Sequence, residues 1–294
     1  MTIPYAETDS STVQRDRSLL FRSLHDGAGA LLLPNAWDVA SARLIEEAGA
    51  AAIATTSAGV AWSLGAADGD LLGRDRALSL IARVVAAVDV PVTADIESGY
   101  ADSPGGVAET IEGVLAAGAV GVNLEDAHRG GASPLRPIGE QADRIAAARQ
   151  AADAARVPLF INARIDTHLL AVGDPAVRVQ DTLTRARAYL AAGADGIFVP
   201  GVTDPATVSA LVEGVAGPLN VLAGPGAPTV AALAGLGVAR ISLGSSIAEA
   251  AYAVARRAAR ELLATGTYES LTGALDYGRL NTLLGSRPGG GTAR

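Results

Sequence analysis

The sequence predicts a single (β/α)8 barrel over residues 1–294, and three observations carry that reading. Eight short apolar runs alternate with longer Ala-rich helical stretches. A joint of the type Ala-Gly-Ala recurs where a helical stretch ends and an apolar run begins. The 294 residues also suit one such barrel, which typically needs ~250.

The elements follow in order. The run Leu31–Pro34 leads into a helix over Asp38–Glu47. Glu47-Ala48-Gly49-Ala50 then ends that helix, because Gly takes the left-handed position past a helix terminus and lets the chain reverse. The second strand is Ala51–Thr56, with a helix over Asp75–Ala87. The third is Val90–Asp95, followed by a helix over Pro104–Ala116 with Pro at its start. Ala117-Gly118-Ala119 precedes the fourth strand, Val120–Glu125, and a helix over Glu140–Ala155. The fifth, Leu159–Arg164, is followed by a helix over Ala176–Ala191. Ala192-Gly193-Ala194 precedes the sixth, Gly196–Pro200, with a helix over Asp204–Val215. The seventh, Leu219–Ala223, and a helix over Thr229–Leu236 lead through Leu236-Gly237 to the eighth, Val238–Gly244. A helix over Ile247–Thr265 closes the set. The near-continuous apolar runs suit parallel strands buried on both faces. Residues 267–284 read as one or two short extra helices, and residues 285–294 as a Gly-rich disordered tail.

Composition narrows the function. With 49% hydrophobic and 18% charged residues, the chain is not disordered overall. Its net charge of -8, without a basic run, gives a phosphate backbone nothing to bind, so no nucleic-acid partner is expected. No window reaches the ~18 apolar residues of a membrane span, and the polar first residues lack a signal-peptide core. A cytoplasmic protein with no membrane partner is expected. There is no Cys, which excludes disulfides, thiolate metal sites and cysteine nucleophiles. There is no Lys either, so Schiff-base and pyridoxal chemistry through a lysine amine is excluded.

Barrel active sites lie at the C-terminal ends of the strands, and the polar residues collect there. Strand one runs into Asn35, Trp37 and Asp38, and strand two into Thr55-Thr56-Ser57-Ala58-Gly59. Strand three ends in Asp95-Ile96-Glu97-Ser98-Gly99-Tyr100, strand four in Asn123-Leu124-Glu125-Asp126, and strand five in Asn162-Ala163-Arg164-Ile165-Asp166. Asp95 and Glu97, two apart, would share a strand face. Glu125 adds a carboxylate from the next strand, and Asp68 another from the loop after strand two. Such a set would repel itself without a cation, and all-oxygen ligands favour Mg2+ or Mn2+. Arg164 offers a fixed fork of donors to a carboxylate or a developing oxyanion. The backbone N–H groups around Ser57, Ala58 and Gly59 could hold a substrate carboxylate. Trp37, Thr56, Asn162 and Asn220 complete the expected substrate contacts. A weaker alternative is a phosphate site formed by Gly224-Pro225-Gly226 and Gly244-Ser245-Ser246. His25 is expected on an N-terminal helix. Of the two histidines in strand-end loops, His128 and His168, His128 is the better proton-donor candidate.

These motifs resemble the isocitrate lyase/phosphoenolpyruvate mutase superfamily. Asp95-Ile96-Glu97-Ser98-Gly99-Tyr100 is similar to that family's Asp-Ala-Asp-Thr-Gly-Tyr. Leu33-Pro34-Asn35-Ala36-Trp37-Asp38, Thr55–Gly59, Asn123–Asp126 and Asn162–Asp166 fall in the family's order. The resemblance implies Mg2+ bound directly at Asp95, with Asp68, Glu97 and Glu125 acting through bound water. It implies substrate carboxylate binding at Thr56, Ser57 and Ala58, and an oxyanion contact at Arg164. It also implies a final helix exchanged between subunits of a dimer or tetramer. The substrates would be small 2-oxo or 2-hydroxy acids reacting through an enolate.

The departures matter as much. The family's catalytic Lys-x-Cys-Gly-His loop is replaced by Ala127-His128-Arg129-Gly130-Gly131-Ala132-Ser133, and the Lys that phosphonate enzymes place after the Glu-Asp pair is Ala127. Pro200 stands where relatives have Glu or His, and Gly224 where lyases have Asn. The pattern that remains resembles the α-oxocarboxylic-acid lyases. The expectation is a Mg2+-dependent carbon–carbon lyase of small oxo or hydroxy (di)carboxylates. Its alternatives are phosphonomutase- or phosphonopyruvate-hydrolase-like chemistry, oxaloacetate hydrolysis or decarboxylation, and a non-catalytic oxo-acid binder.

Overall fold

Each predicted apolar run becomes a strand, and all the strands run parallel. A computed structural model describes residues 10–27 and 29–286. The strands are β1 (Leu31–Leu33), β2 (Asn35–Ala36), β3 (Ile53–Thr55), β4 (Val92–Asp95), β5 (Gly121–Glu125), β6 (Phe160–Arg164), β7 (Gly196–Val199), β8 (Leu219–Leu222) and β9 (Arg240–Ser242). Their order in the sheet is β1-β9-β8-β7-β6-β5-β4-β3-β2. β1 and β2 are two segments of one strand flanking Pro34, which has no N–H for the ladder. β1 pairs with β9 and β2 with β3, so the interrupted strand closes the ring and the eight-stranded barrel is confirmed.

The predicted helices appear as α2 (Val39–Glu47), α4 (Arg74–Ala87), α5 (Pro104–Ala116), α6 (Ile138–Ala154), α7 (Arg178–Ala191), α8 (Pro205–Gly214), α9 (Val230–Gly235) and α10 (Ser246–Thr265). Asp38 caps α2 in a reciprocal box with Ser41, and Ser103 and Asp204 cap α5 and α8 ahead of an N-terminal Pro. The region after α10 holds a 3-10 turn, Glu269–Leu271, and the helix α11 (Tyr277–Gly285). Gly285 therefore ends a helix rather than opening a tail, and residues 287–294 lie outside the described residues. No helix among the described residues is long and apolar enough to cross a membrane.

Two helices differ from the sequence expectation. Ser57–Ser63 forms α3, where a turn was expected at the end of strand two. The helix α1 (Ser10–Ser23) ends before His25, which lies in the turn after it. α1 plugs the N-terminal mouth of the barrel. Its Phe21 meets Phe160 edge-on at 5.7 Å, and His25 stacks on Phe160 at 4.0 Å. Ser18 donates to the Pro158 carbonyl and Arg22 pairs with Asp195 at 2.7 Å.

Alternation along the strands sorts polar from apolar. Val122, Leu124, Ile161, Ala163, Ile197, Val199, Leu219, Val221 and Ile241 pack outward into the main core with the helices. Their neighbours Asn123, Glu125, Asn162, Arg164, Asn220, Arg240 and Ser242 face the barrel axis. Asn162 donates to Asn123 (2.9 Å) and Asn220 (3.1 Å), forming a buried polar layer below the strand ends.

Burial and the nearby Arg240 hold His25 at about 4, against 6.5 for the free side chain, although its bond to the Phe21 carbonyl opposes them. The unfolded chain therefore takes up the proton first. Stability contributed by neutral His25 is complete above pH 6.5 and is lost as pH falls towards 4. Urea midpoints measured at pH 7 and pH 5 should fall less steeply in His25→Gln than in the parent chain.

Candidate active site

The C-terminal mouth of the barrel holds a cavity of about 200 Å3, lined among others by Asn35, Thr56, Ser57, Ala58, Asp68, Asp95, Asn123, Arg164 and Ser245. Leu169, Phe198, Pro200 and Leu222 form its apolar wall. Six of the residues predicted for this site thus converge: Asp95, Asp68, Thr56, Ser57, Ala58 and Arg164.

Asp95 ends β4 and is fixed from two sides. Its Oδ2 accepts from Ser57 Oγ at 3.1 Å, and its Oδ1 accepts from the Glu97 N–H at 3.2 Å. Glu97 does not share a strand face with Asp95, because β4 ends at Asp95. Glu97 adopts φ +52 in a left-handed turn continued by Tyr100 at φ +51. That turn sends its carboxylate towards the loop before α4. There Oε2 accepts from the N–H groups of Gly69 (2.8 Å) and Asp70, and Oε1 accepts from the Tyr100 hydroxyl (3.2 Å).

Glu125 and Arg164 are register partners on β5 and β6, which sets Arg164 NH1 2.8 Å from Glu125 Oε2. Arg164 also grips Asp166 through Nε (2.7 Å) and NH2 (3.0 Å). Burial opposes the charge on Arg164, but Glu125, Asp166 and Asp95 outweigh it and hold the guanidinium protonated. Asp126, beside Glu125, faces away from the cavity. It accepts from the Asp166 N–H (3.0 Å), Tyr189 hydroxyl (2.9 Å) and Arg185 NH1 (3.1 Å). It therefore anchors the strand-end loops from behind.

Other expected residues stand elsewhere. Asn162 and Asn220 lie in the polar layer beneath the cavity, holding Asn123, which does line it. Trp37 and Gly59 are packing partners: a Cβ on Gly59 would come within 2.8 Å of Trp37. His128 is in the loop after β5, away from the cavity lining, with its ring against Gly131. Of the alternative phosphate loops, Gly244 and Ser245 reach the cavity but Gly224 does not. Sequence reasoning missed Arg129, which reaches into the carboxylates from that same loop: its NH1 is 3.3 Å from Glu97 and its NH2 3.3 Å from Glu125.

The carboxylates fit a hard divalent cation. The donor set is all oxygen, and Glu125 Oε1 is buried without a hydrogen-bond partner. Burial raises Asp95 and pushes Glu125 up to about 8 against the pull of Arg164, and pushes Glu97 up to about 7 against its bond from the Asp70 N–H. Such values mark negative charge that the protein alone leaves undercompensated. Among the described residues no three acidic or histidine side chains converge closely enough to ligate one ion together. This spacing suits a hydrated ion touching few carboxylates directly.

A family model described as phosphoenolpyruvate phosphomutase matches residues 21–263. The chain belongs to the isocitrate lyase/phosphoenolpyruvate mutase superfamily. In sequence it is 37% identical over 265 residues to the uncharacterized protein Rv1998c of Mycobacterium tuberculosis, covering 90% of this chain and 95% of that one. It is 32% identical over 183 residues to 2-methylisocitrate lyase of Escherichia coli, covering 60% of each. A candidate lyase/mutase of Burkholderia cenocepacia superposes with a TM-score of 0.88 at 40% identity, covering 94% of this chain and 99% of that one. A phosphonopyruvate hydrolase solved with oxalate and Mg2+ superposes with a TM-score of 0.79 at 25% identity, covering 92% and 95%. Members of the superfamily are lyases and mutases of small carboxylates, and the barrel found here is their fold.

Removing the Asp126 carboxylate would take the buried acceptor from the Asp166 N–H and the Tyr189 hydroxyl and break the buried ion pair with Arg185. Asp126→Ala should therefore cost about 3 kcal/mol, the scale for breaking a buried ion pair, read as a lowered urea midpoint with unchanged slope.

Proposed function

We propose that the protein is a Mg2+- or Mn2+-dependent carbon–carbon lyase of small 2-oxo or 2-hydroxy (di)carboxylic acids. The observation that carries this reading is the pairing of opposite charges in one small chamber. Asp95, for the cation, and Arg164, for an anion, line the same cavity of about 200 Å3. Drug-sized ligands need roughly 300–1,000 Å3, so the chamber suits a short acid.

Asp95 would hold the cation directly, with Asp68, Glu97 and Glu125 acting through its bound water. When bound, the ion supplies a Lewis acid that polarises the substrate's 2-oxygen and carboxylate. Arg164, locked by Asp166 and Glu125, keeps a fixed positive charge at the cavity. It can stabilise negative charge on the enolate oxygen as the carbon–carbon bond breaks, and its rigidity means that no reorganisation is needed at that moment. Thr56, Ser57 and Ala58 border the cavity where a substrate carboxylate would sit, with the Ser57 hydroxyl and N–H given to Asp95. Leu169, Phe198, Pro200 and Leu222 make the far wall apolar, which strengthens those electrostatic contacts once a substrate displaces water. The oxalate and Mg2+ bound by the hydrolase relative support the same ligand chemistry.

A homo-oligomer completes the proposal. Leu32, on the outward face of β1, is 46% exposed, with no helix of the described residues covering it. It lines an apolar groove of about 710 Å3 together with Leu24, Leu44, Ile45 and Ile247. α10 leaves the barrel, with Leu262 and Leu263 58% and 86% exposed. The α10 of a second copy would fill the groove that this chain's own helix leaves open.

Incubation with Mg2+ and a panel of C4 to C7 oxo and hydroxy acids should yield a 2-oxo acid product. Tight binding without turnover of any of them would refute the lyase. Asp95→Ala should abolish turnover while circular dichroism shows the fold retained, since the change removes clustered negative charge. Light scattering should show a dimer or larger for the parent chain, and a smaller species for Leu263→Arg.

A further inference from the structure

Arg129 is a cation at the carboxylate cluster to which the proposed reaction gives no role. Its guanidinium lies among three acids. NH1 stands 3.3 Å from Glu97 Oε2, and NH2 stands 3.3 Å from Glu125 Oε1 and 3.8 Å from Asp68 Oδ2. Those are the carboxylates expected to act on a cation through its bound water. The Glu97 and Glu125 side chains are 2% exposed and Arg129 is 41% exposed, so the acids are fixed and the arginine reaches in from solvent.

The chain leaves space for this approach. Gly69 adopts φ +109 beside the guanidinium, and a Cβ there would lie 2.5 Å from Arg129 NH1. The contact with Glu125 is nevertheless loose: Oε1 receives no directed hydrogen bond. The arginine also has somewhere to go. It lines a second cavity of about 390 Å3, outside the substrate chamber, bordered by Asp70, Ser98, Tyr100 and Asp102. Its backbone belongs to a short hairpin tied at its base by the Ala127–Leu135 bridge and turned at Gly130 (φ +82).

We propose that Arg129 is a resident counter-cation of the Asp68–Glu97–Glu125 cluster, which competes with the divalent ion and withdraws into the neighbouring cavity when the ion binds. This rests on the metal reading given above. A guanidinium and a divalent ion sharing the same carboxylates repel each other, so each must weaken the binding of the other. The arginine thus offsets part of the cluster's charge without metal and lowers metal affinity.

The test is Mn2+ affinity, read as free Mn2+ by electron paramagnetic resonance on the full chain. Arg129→Gln should bind Mn2+ about tenfold more tightly, a change of about 1.4 kcal/mol, and Arg129→Lys should fall between. Arg74→Gln serves as the control for net charge, because Arg74 borders the same outer cavity but pairs with Glu109. Thermal melting of each variant reports folding independently. Equal or weaker binding by folded Arg129→Gln overturns the proposal, as does an equal gain in Arg74→Gln. If neither the parent chain nor Arg129→Gln binds Mn2+, the metal reading fails and this proposal fails with it.

Discussion

Carboxylates held side by side at one barrel mouth repel one another, and the upper half of this molecule is organised to keep them there. Two unit charges 4 Å apart interact by about 4 kcal/mol at an effective dielectric of 20. A few such pairs rival the whole stability of a domain, about 5–15 kcal/mol. The fold answers with fixed donors. Glu97 takes two backbone N–H groups and a tyrosine hydroxyl, Asp95 takes a serine, and Glu125 takes its register partner Arg164. What remains uncompensated shows in the raised pKa values of Asp95, Glu97 and Glu125.

The rest of the barrel makes that arrangement possible. Apolar side chains leave the strands outward and pack with the helices, while the axis carries polar groups in register. Asp166 and Asp126 link the ends of β5 and β6 and clamp Arg164 from behind. At the opposite mouth, α1 closes the barrel with Phe21 and His25 against Phe160. The site is therefore supported from below by satisfied polar contacts and an aromatic plug.

Much of this was legible in the sequence because local chemistry sets the element boundaries. Ser103 and Pro104 define the start of α5, and Gly118 its end. The carboxylates were legible because strand ends in barrels converge. The reason offered for Glu97 was nonetheless wrong: a left-handed turn, not strand alternation, aims it. α3 was missed because Gly59 within Ser57–Ser63 reads as a turn, whereas close packing against Trp37 demands it in a helix. Arg129 was missed because its role depends on Asp68 and Glu97, distant in sequence. Its one sequence signal was its place as the first cation after the Glu125-Asp126 pair.

The chain of Asn123, Asn162 and Asn220 carries a consequence for how such a barrel can diversify. The amide of Asn162 donates to both Asn123 and Asn220, so replacing Asn162 alone leaves two buried amide oxygens with one donor fewer in a closed interior. A change at Asn162 therefore calls for compensating changes at the other two positions of that floor. The rim above it takes Asp68, Glu97 and Arg129 from loops, where exchanging a side chain does not disturb that floor. A lineage can thus try new chemistries at the mouth without rebuilding what lies beneath.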